Sequence, residues 1–227
     1  MKLGNGWDDV VNYVYYKQAQ AAAEEFHRKE RTYPHLQQVF NAFYTPYDDV
    51  KVVILGQDPY PGTDKYGIVH AHGLAFSSAA EQTPQSLQNI FKELADEYGK
   101  MRTMPNLTDW TRAGVLLLNT SLTVAANKPN SHAGRHYSRF VINVIKQLLL
   151  RKENLVYMLW GRAAQDTAKL AGITHTKNNL VLTAPHPSPM SAHTGFFGCN
   201  HFKLANRYLK EHGKTRIDWI GAFYYEV

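Results

Sequence analysis

Val50-Lys51-Val52-Val53-Ile54-Leu55-Gly56-Gln57-Asp58-Pro59-Tyr60-Pro61-Gly62 is the stretch that decides the fold of this chain. Its first half, Val50–Leu55, is an apolar run without strict polar alternation, the pattern of a strand buried on both faces of a parallel sheet. Its second half turns abruptly polar and carries two prolines between two glycines, so the strand ends in a stiff loop. Three further runs read the same way: Val115–Leu118, Leu155–Trp160 and Leu180–Thr183. They are followed in turn by Asn119-Thr120-Ser121, by Gly161-Arg162, and by Pro185-His186-Pro187-Ser188-Pro189-Met190-Ser191. Strands separated by helix-length connections imply right-handed crossovers and an α/β fold, a three-layer α/β/α sandwich around a four-stranded, mainly parallel sheet. Ligands of such sheets bind beyond the carboxyl ends of the strands, so the four loops are expected to converge on one rim.

Helical periodicity fills the connections. In Thr83–Gly99 the residues Leu87, Ile90, Phe91, Leu94 and Tyr98 share a face, with Thr83 as a cap, Pro84 in the first turn and Gly99 at the end. Phe140, Val144, Ile145, Leu148 and Leu149 mark a second face, and Phe202, Ala205, Tyr208 and Leu209 a third. Two more helices are expected before the first strand, around Trp7–Arg31 and His35–Tyr44. The absence of repeats, low-complexity tracts and Gly/Ser linkers predicts a single domain over residues 1–227. With 44% hydrophobic residues the chain can bury a full core, and 19% charged residues is too few for a disordered one. A single cysteine, Cys199, leaves no internal disulfide framework and no multi-cysteine metal cage, and suits a reducing compartment. No run approaches the roughly 20 apolar residues of a membrane span, and a cytoplasmic, monomeric protein without a membrane partner is expected. The 25 Lys and Arg against 19 Asp and Glu leave +6, which favours a polyanion such as nucleic acid without requiring one.

The loops carry the chemistry. Asp58 sits between prolines and glycines that fix its direction, although a loop aspartate more often only makes a turn hydrogen bond. His186 is held among three prolines, as an oriented base or electrophile or as a surface histidine. The Asn119 amide presents a donor beside an acceptor, the pattern that reads a nucleobase edge, or it ties down nearby backbone. Phe76, in Gly73-Leu74-Ala75-Phe76-Ser77, fits either the core or a stacking platform. Ser86, Ser188 and Ser191 lie beside prolines and suit either phosphate contacts or ordinary caps.

Taken together, these motifs resemble family 1 uracil-DNA glycosylases over nearly the whole chain, from about the first helix to Phe223. The family's GQDPYxG matches Gly56–Gly62, AHGLAFS matches Ala71–Ser77, LLLNTxLTV matches Leu116–Val124, and HPSPxSAHxGFFGCNHF matches His186–Phe202. The resemblance implies that Asp58 orients the attacking water and stabilises a cationic sugar, and that His186 bonds the uracil O2. It implies that Gln57 offers backbone contacts to the base, Phe76 stacks on it, Asn119 reads O4 and N3–H, and Tyr60 excludes the thymine methyl. Met190 stands where the family usually has a leucine that inserts into the duplex. Ser86, His132, Gly161, Arg162, Ser188 and Ser191 match positions that meet the DNA backbone. The implied partner is uracil-containing DNA, single- or double-stranded, with a DNA-mimicking inhibitor protein as a second partner; no cofactor or metal is required.

The departures are local. Pro61 replaces a histidine common in the family, which implies a changed water network. Thr63–His70 is longer than in the commonest members and either closes over the site or is a tolerated surface insertion. Gln82-Thr83-Pro84-Gln85-Ser86 has one proline where the family has a proline-rich phosphate loop, and Arg162 replaces a frequent serine. Two other readings compete. One is a non-catalytic DNA-binding or scaffold module on the same fold. The other is a metallohydrolase using His70, His72, His193 and His201, for which the sequence offers no compact cluster with carboxylates.

Overall fold

The computed structural model describes residues 3–221; Phe223, where the resemblance ends, lies outside the described residues. In chain order the elements are α1 (Tyr13–Lys29), β1 (Thr32–Tyr33), β2 (Val52–Gly56), α2 (Gln85–Tyr98), α3 (Thr108–Arg112), β3 (Val115–Asn119), β4 (Val124–Ala125), α4 (Arg135–Arg151), β5 (Val156–Trp160), α5 (Arg162–Leu170), β6 (Leu180–Ala184) and α6 (His201–Glu211). The main sheet has the order β3-β2-β5-β6 and every pairing in it is parallel. Every residue of β2, β3 and β5 is buried. Since successive side chains point to opposite faces, that is possible only with cover on both sides. α1, α4 and α5 pack together, as do α2 and α6. β6 is less completely buried and forms an edge. β1 and β4 make a separate antiparallel pair.

The four expected strands are thus present, with their ends displaced by one or two residues. Three helical expectations change. The first helix begins at Tyr13, where Asn12 Oδ1 accepts the N–H groups of Val14 and Tyr15 at 3.0 and 3.2 Å. Trp7 lies before it, buried, its indole N–H donating to Thr45 O at 2.9 Å. His35–Tyr44 forms two short 3₁₀ turns, Leu36–Gln38 and Asn41–Tyr44, because its polar groups face outward to other segments: Asn41 Nδ2 donates to His72 O at 2.8 Å. Pro84, not Thr83, occupies the N-cap of α2, and no side chain caps it.

The segment 70–77 packs on those turns so tightly that Gly73 has no substitute. Its φ is +90°, and a Cβ would lie 1.8 Å from Gln38 O and 3.0 Å from Asn41 Cβ. Gly62, by contrast, has open space and an ordinary φ. Gly73→Ala is expected to cost about 3 kcal/mol, read calorimetrically as a Tm drop of about 6–12 °C, while Gly62→Ala leaves Tm nearly unchanged.

Candidate active site

The parallel register sets Gly56 of β2 opposite Asn119 of β3. Asn119 is 6% exposed, and its Oδ1 is buried without a hydrogen-bond partner among the described residues. A Cβ at Gly56 would stand 2.3 Å from that oxygen and 3.0 Å from Ala75 Cβ, so glycine is what allows the amide to be there. A buried acceptor left unpaired costs about 1–3 kcal/mol. The arrangement makes physical sense as a site that a ligand's N–H completes.

Phe76 borders the same point. Its φ is +63°, the left-handed region that a bulky side chain rarely adopts. Its neighbours hold it there: Ala75 N–H donates to Leu117 O at 3.0 Å and the Tyr60 hydroxyl donates to Phe76 O at 3.0 Å. The Phe76 ring is 5.5 Å from that of Trp160 and 5.6 Å from that of His186. Burial raises the Tyr60 phenol far above its ordinary value, so it is a neutral donor.

Asp58 is half-buried two residues beyond Gly56. Its Oδ2 accepts Asn130 N–H at 2.7 Å, and Asn130 in turn accepts from Gln57 Nε2 through Oδ1. Burial raises the pKa of the Asp58 carboxyl, and the Asn130 N–H and Gln57 amide offset only part of that rise. Gln57 O is already occupied, by Ser121 N–H at 2.9 Å and the Thr120 hydroxyl at 2.7 Å. Asn130, at φ +62°, was invisible in the sequence as a site residue; its only signal is the asparagine preference for left-handed backbone.

His186 follows β6. Ser188 N–H donates to its Nδ1 at 3.0 Å, which leaves the ring proton on Nε2. Burial lowers its pKa to about 4, so the ring is a neutral Nε2–H donor at neutral pH. Gly161, at φ +89°, presses on it: a Cβ there would sit 2.9 Å from His186 Cβ. From the other side Asn89 Nδ2 of α2 donates to Pro187 O at 2.9 Å. Asn89 begins a row at helical spacing. Glu93 accepts Gly198 N–H and Asn200 N–H at 2.7 and 2.9 Å, and Glu97 accepts Phe202 N–H and Lys203 N–H at 3.3 and 2.6 Å. All three residues are buried, and their polarity hid them among expected solvent-facing positions.

The rim around this point carries the remaining candidates. Ser86 lies in the first turn of α2, Gly161 caps α5, and Arg162 is exposed as the first residue of α5. The hydroxyl of Ser191 donates to His186 O at 2.7 Å and is 3.0 Å from that of Ser188, so this turn is already formed. Met190 is 88% exposed at its apex.

His132 is a correction. It is 3% exposed, stacked on Phe26 at 3.7 Å between ring centroids, with Nδ1 at 2.9 Å from Thr123 Oγ1 and Nε2 at 3.3 Å from Glu30 Oε1. Both nitrogens are engaged inside the protein, so its side chain is not free to meet a phosphate. The other histidines do not converge. His70 pairs with Ser78, His72 with Ser77, and His201 Nδ1 accepts the Trp160 indole N–H at 3.0 Å. Among the described residues no three His, Cys, Asp or Glu side chains are grouped to hold a metal ion.

A parallel α/β sheet with a carboxylate, a neutral imidazole and an unpaired amide at its carboxyl rim defines the class: a site for a flat, hydrogen-bonding ring next to hydrolytic chemistry. The model of the uracil DNA glycosylase superfamily matches residues 43–210, and the chain belongs to that family. It is 46% identical over 211 residues to a uracil-DNA glycosylase of Agathobacter rectalis, covering 90% of this chain and 89% of the relative. It is 48% identical over 206 residues to one from Escherichia coli O157:H7, covering 88% and 86%. Among solved structures, mimivirus uracil-DNA glycosylase superposes with a TM-score of 0.84 at 27% identity, over 94% of this chain and 86% of that one. A variant of the same viral protein in complex with UGI gives 0.85 at 28%, over 94% and 87%.

The His186 geometry makes a spectroscopic prediction. Its ¹⁵N shifts should report the Nε2–H tautomer unchanged from pH 8 down to about pH 5, whereas an unperturbed imidazole titrates near 6.5.

Proposed function

We propose that this protein hydrolyses the N-glycosidic bond of deoxyuridine in DNA, releasing uracil and leaving an abasic site for base-excision repair. The observation that carries the reading is the unpaired, buried Asn119 Oδ1 opposite Gly56, in a chain 46–50% identical to uracil-DNA glycosylases. In this reading Asn119 Oδ1 accepts the N3–H of uracil and its amide N–H donates to O4. Cytosine has no proton at N3 and an amine at C4, so both bonds are lost in a desolvated site. Phe76 stacks on the ring, Gln57 lines it with backbone, and Tyr60 fills the space beside C5.

Bond cleavage leaves positive charge on the sugar and negative charge on the base. The Asp58 carboxylate, held by Asn130, orients water toward the sugar carbon and stabilises its charge. The His186 Nε2–H faces the developing charge at O2; as a neutral donor it gives up no proton and needs no protonation step. A base in a duplex is out of reach, so the nucleotide is extruded, with the exposed Met190 as the apolar wedge. Ser86, Gly161, Arg162 and the Ser188–Ser191 turn hold the backbone. A DNA-mimicking inhibitor protein is a second partner, supported by the UGI complex of the viral relative. A monomer in the cytoplasm completes the reading.

The wild-type protein is expected to release free uracil from a uracil-containing oligonucleotide in excess EDTA, and a folded preparation that releases none would refute the proposal. Asp58→Asn should lower kcat about a hundredfold or more while retaining DNA binding. Tyr60→Ala should admit thymine, measured as thymine release from an undamaged oligonucleotide; unchanged rejection would mean that another group guards C5.

A further inference from the structure

The longer segment after Gly62 is not a slack insertion. Thr63 and Val69 form an antiparallel bridge that closes residues 64–68 into a hairpin tip. Asp64 is buried inside it, and its Oδ1 accepts the N–H groups of Tyr66 and Ile68, both at 2.9 Å. Asp64 N–H donates to Ile68 O at 2.9 Å and Gly67 N–H to Asp64 O at 3.0 Å, at a Gly67 φ of +81°. A carboxylate bonded twice within so short a tip fixes what the tip presents. It presents Tyr66, 74% exposed, Ile68, 48% exposed, and Lys65, whose ammonium lies 4.9 Å from the Tyr66 ring centroid.

The hairpin adjoins Tyr60 at its stem and, on its other side, the segment that leads into Ser86. At its stem His70 N–H donates to Gly62 O at 3.3 Å, and the His70 ring is edge-on to Tyr60 at 6.1 Å. On its other side Asp64, Lys65 and Tyr66 share an open cleft of about 410 Å³ with Glu81 and Gln82, the residues that lead into Ser86 and α2. An exposed aromatic ring with a cation beside it is the platform on which bases of a DNA strand stack. Glu81 on the far wall repels a phosphate, which leaves the Lys65 side for the backbone.

We propose that this hairpin is a DNA-strand subsite: a base of the uracil-bearing strand, outside the extruded nucleotide, stacks on Tyr66 while Lys65 meets an adjacent phosphate. The subsite rests on the reading that this chain acts on uracil in DNA, and extends it.

The test is uracil release from single-stranded oligonucleotides lengthened stepwise on either side of deoxyuridine, up to about fifteen nucleotides. For substrates too short to reach the hairpin, Tyr66→Ala should match the wild type. Beyond one particular length its KM should rise about tenfold over the wild type with kcat unchanged. Tyr66→Phe should retain the wild-type KM, and Lys65→Gln should raise KM and weaken its salt dependence. Equal KM values for Tyr66→Ala and an active wild type at every length would overturn the subsite alone. An inactive wild type would overturn the underlying reading and the subsite with it.

Discussion

The site depends on one missing atom. In the parallel register Gly56 faces Asn119, and a single methyl at Gly56 would reach to 2.3 Å of the amide oxygen. It would also press on Ala75, the residue before Phe76. Three separate parts of the chain therefore meet at a point that only glycine leaves open. The backbone just past Ala75 is strained and held: Phe76 keeps a left-handed conformation, and its carbonyl accepts from Tyr60. Strain of this kind costs about 1–3 kcal/mol and persists only where surrounding structure enforces it. Here the enforcing structure is the buried sheet, in which β2, β3 and β5 have no exposed residue.

The second constraint comes from α2. Its apolar face packs into the core, but its row Asn89, Glu93, Glu97 is buried against the His186 loop and the chain that follows it into α6. Asn89 holds the His186 loop by Pro187 O, Glu93 holds the turn at Gly198 and Asn200, and Glu97 caps α6. Buried carboxylates are costly unless bonded, and each of these accepts two backbone N–H groups. Desolvation, with Glu93 adding repulsion, still pushes Glu97 up to about 7. The helix whose first turn carries Ser86 thus also positions the imidazole, so the two are mechanically one piece.

This division explains what the sequence reveals. Apolar runs without alternation mark β2, β3 and β5, which are covered on both faces, and also the less buried edge β6, and the polar residues at or just past the strand ends include Asp58, Asn119 and His186. The row on α2 is not legible, because a polar residue every fourth position reads as a solvent face until the partner loop, about a hundred residues away, is known. His132 misleads for a related reason: its motif looks like an exposed loop, but Phe26 of α1 stacks on it. Asn130 is hidden because its backbone, not its side chain, contacts Asp58. The short α3, β1 and β4 carry too few residues to show a period.

Charge is the property whose meaning changes most between sequence and structure. A net +6 invites the view that the excess marks a DNA face, but three of the 25 Lys and Arg are committed at the opposite end of the sheet. Lys51, just before β2, donates to Thr215 O at 3.1 Å; Lys152, at the end of α4, donates to Tyr47 O and Asp48 O at 2.7 and 2.8 Å; Lys214 donates to Glu153 O at 2.9 Å. These ammoniums satisfy carbonyls at the amino ends of the strands and near helix carboxyl termini, where backbone dipoles leave negative charge. Burial lowers all three pKa values. The carboxyl rim carries Arg162 at the start of α5, Lys65 on the hairpin and the exposed Lys128 in the loop whose Asn130 N–H bonds Asp58, beside the Asn119 amide and the neutral His186 ring. In the proposed reading these cations add a salt-dependent part to the short-range contacts that the neutral groups beside them make with DNA.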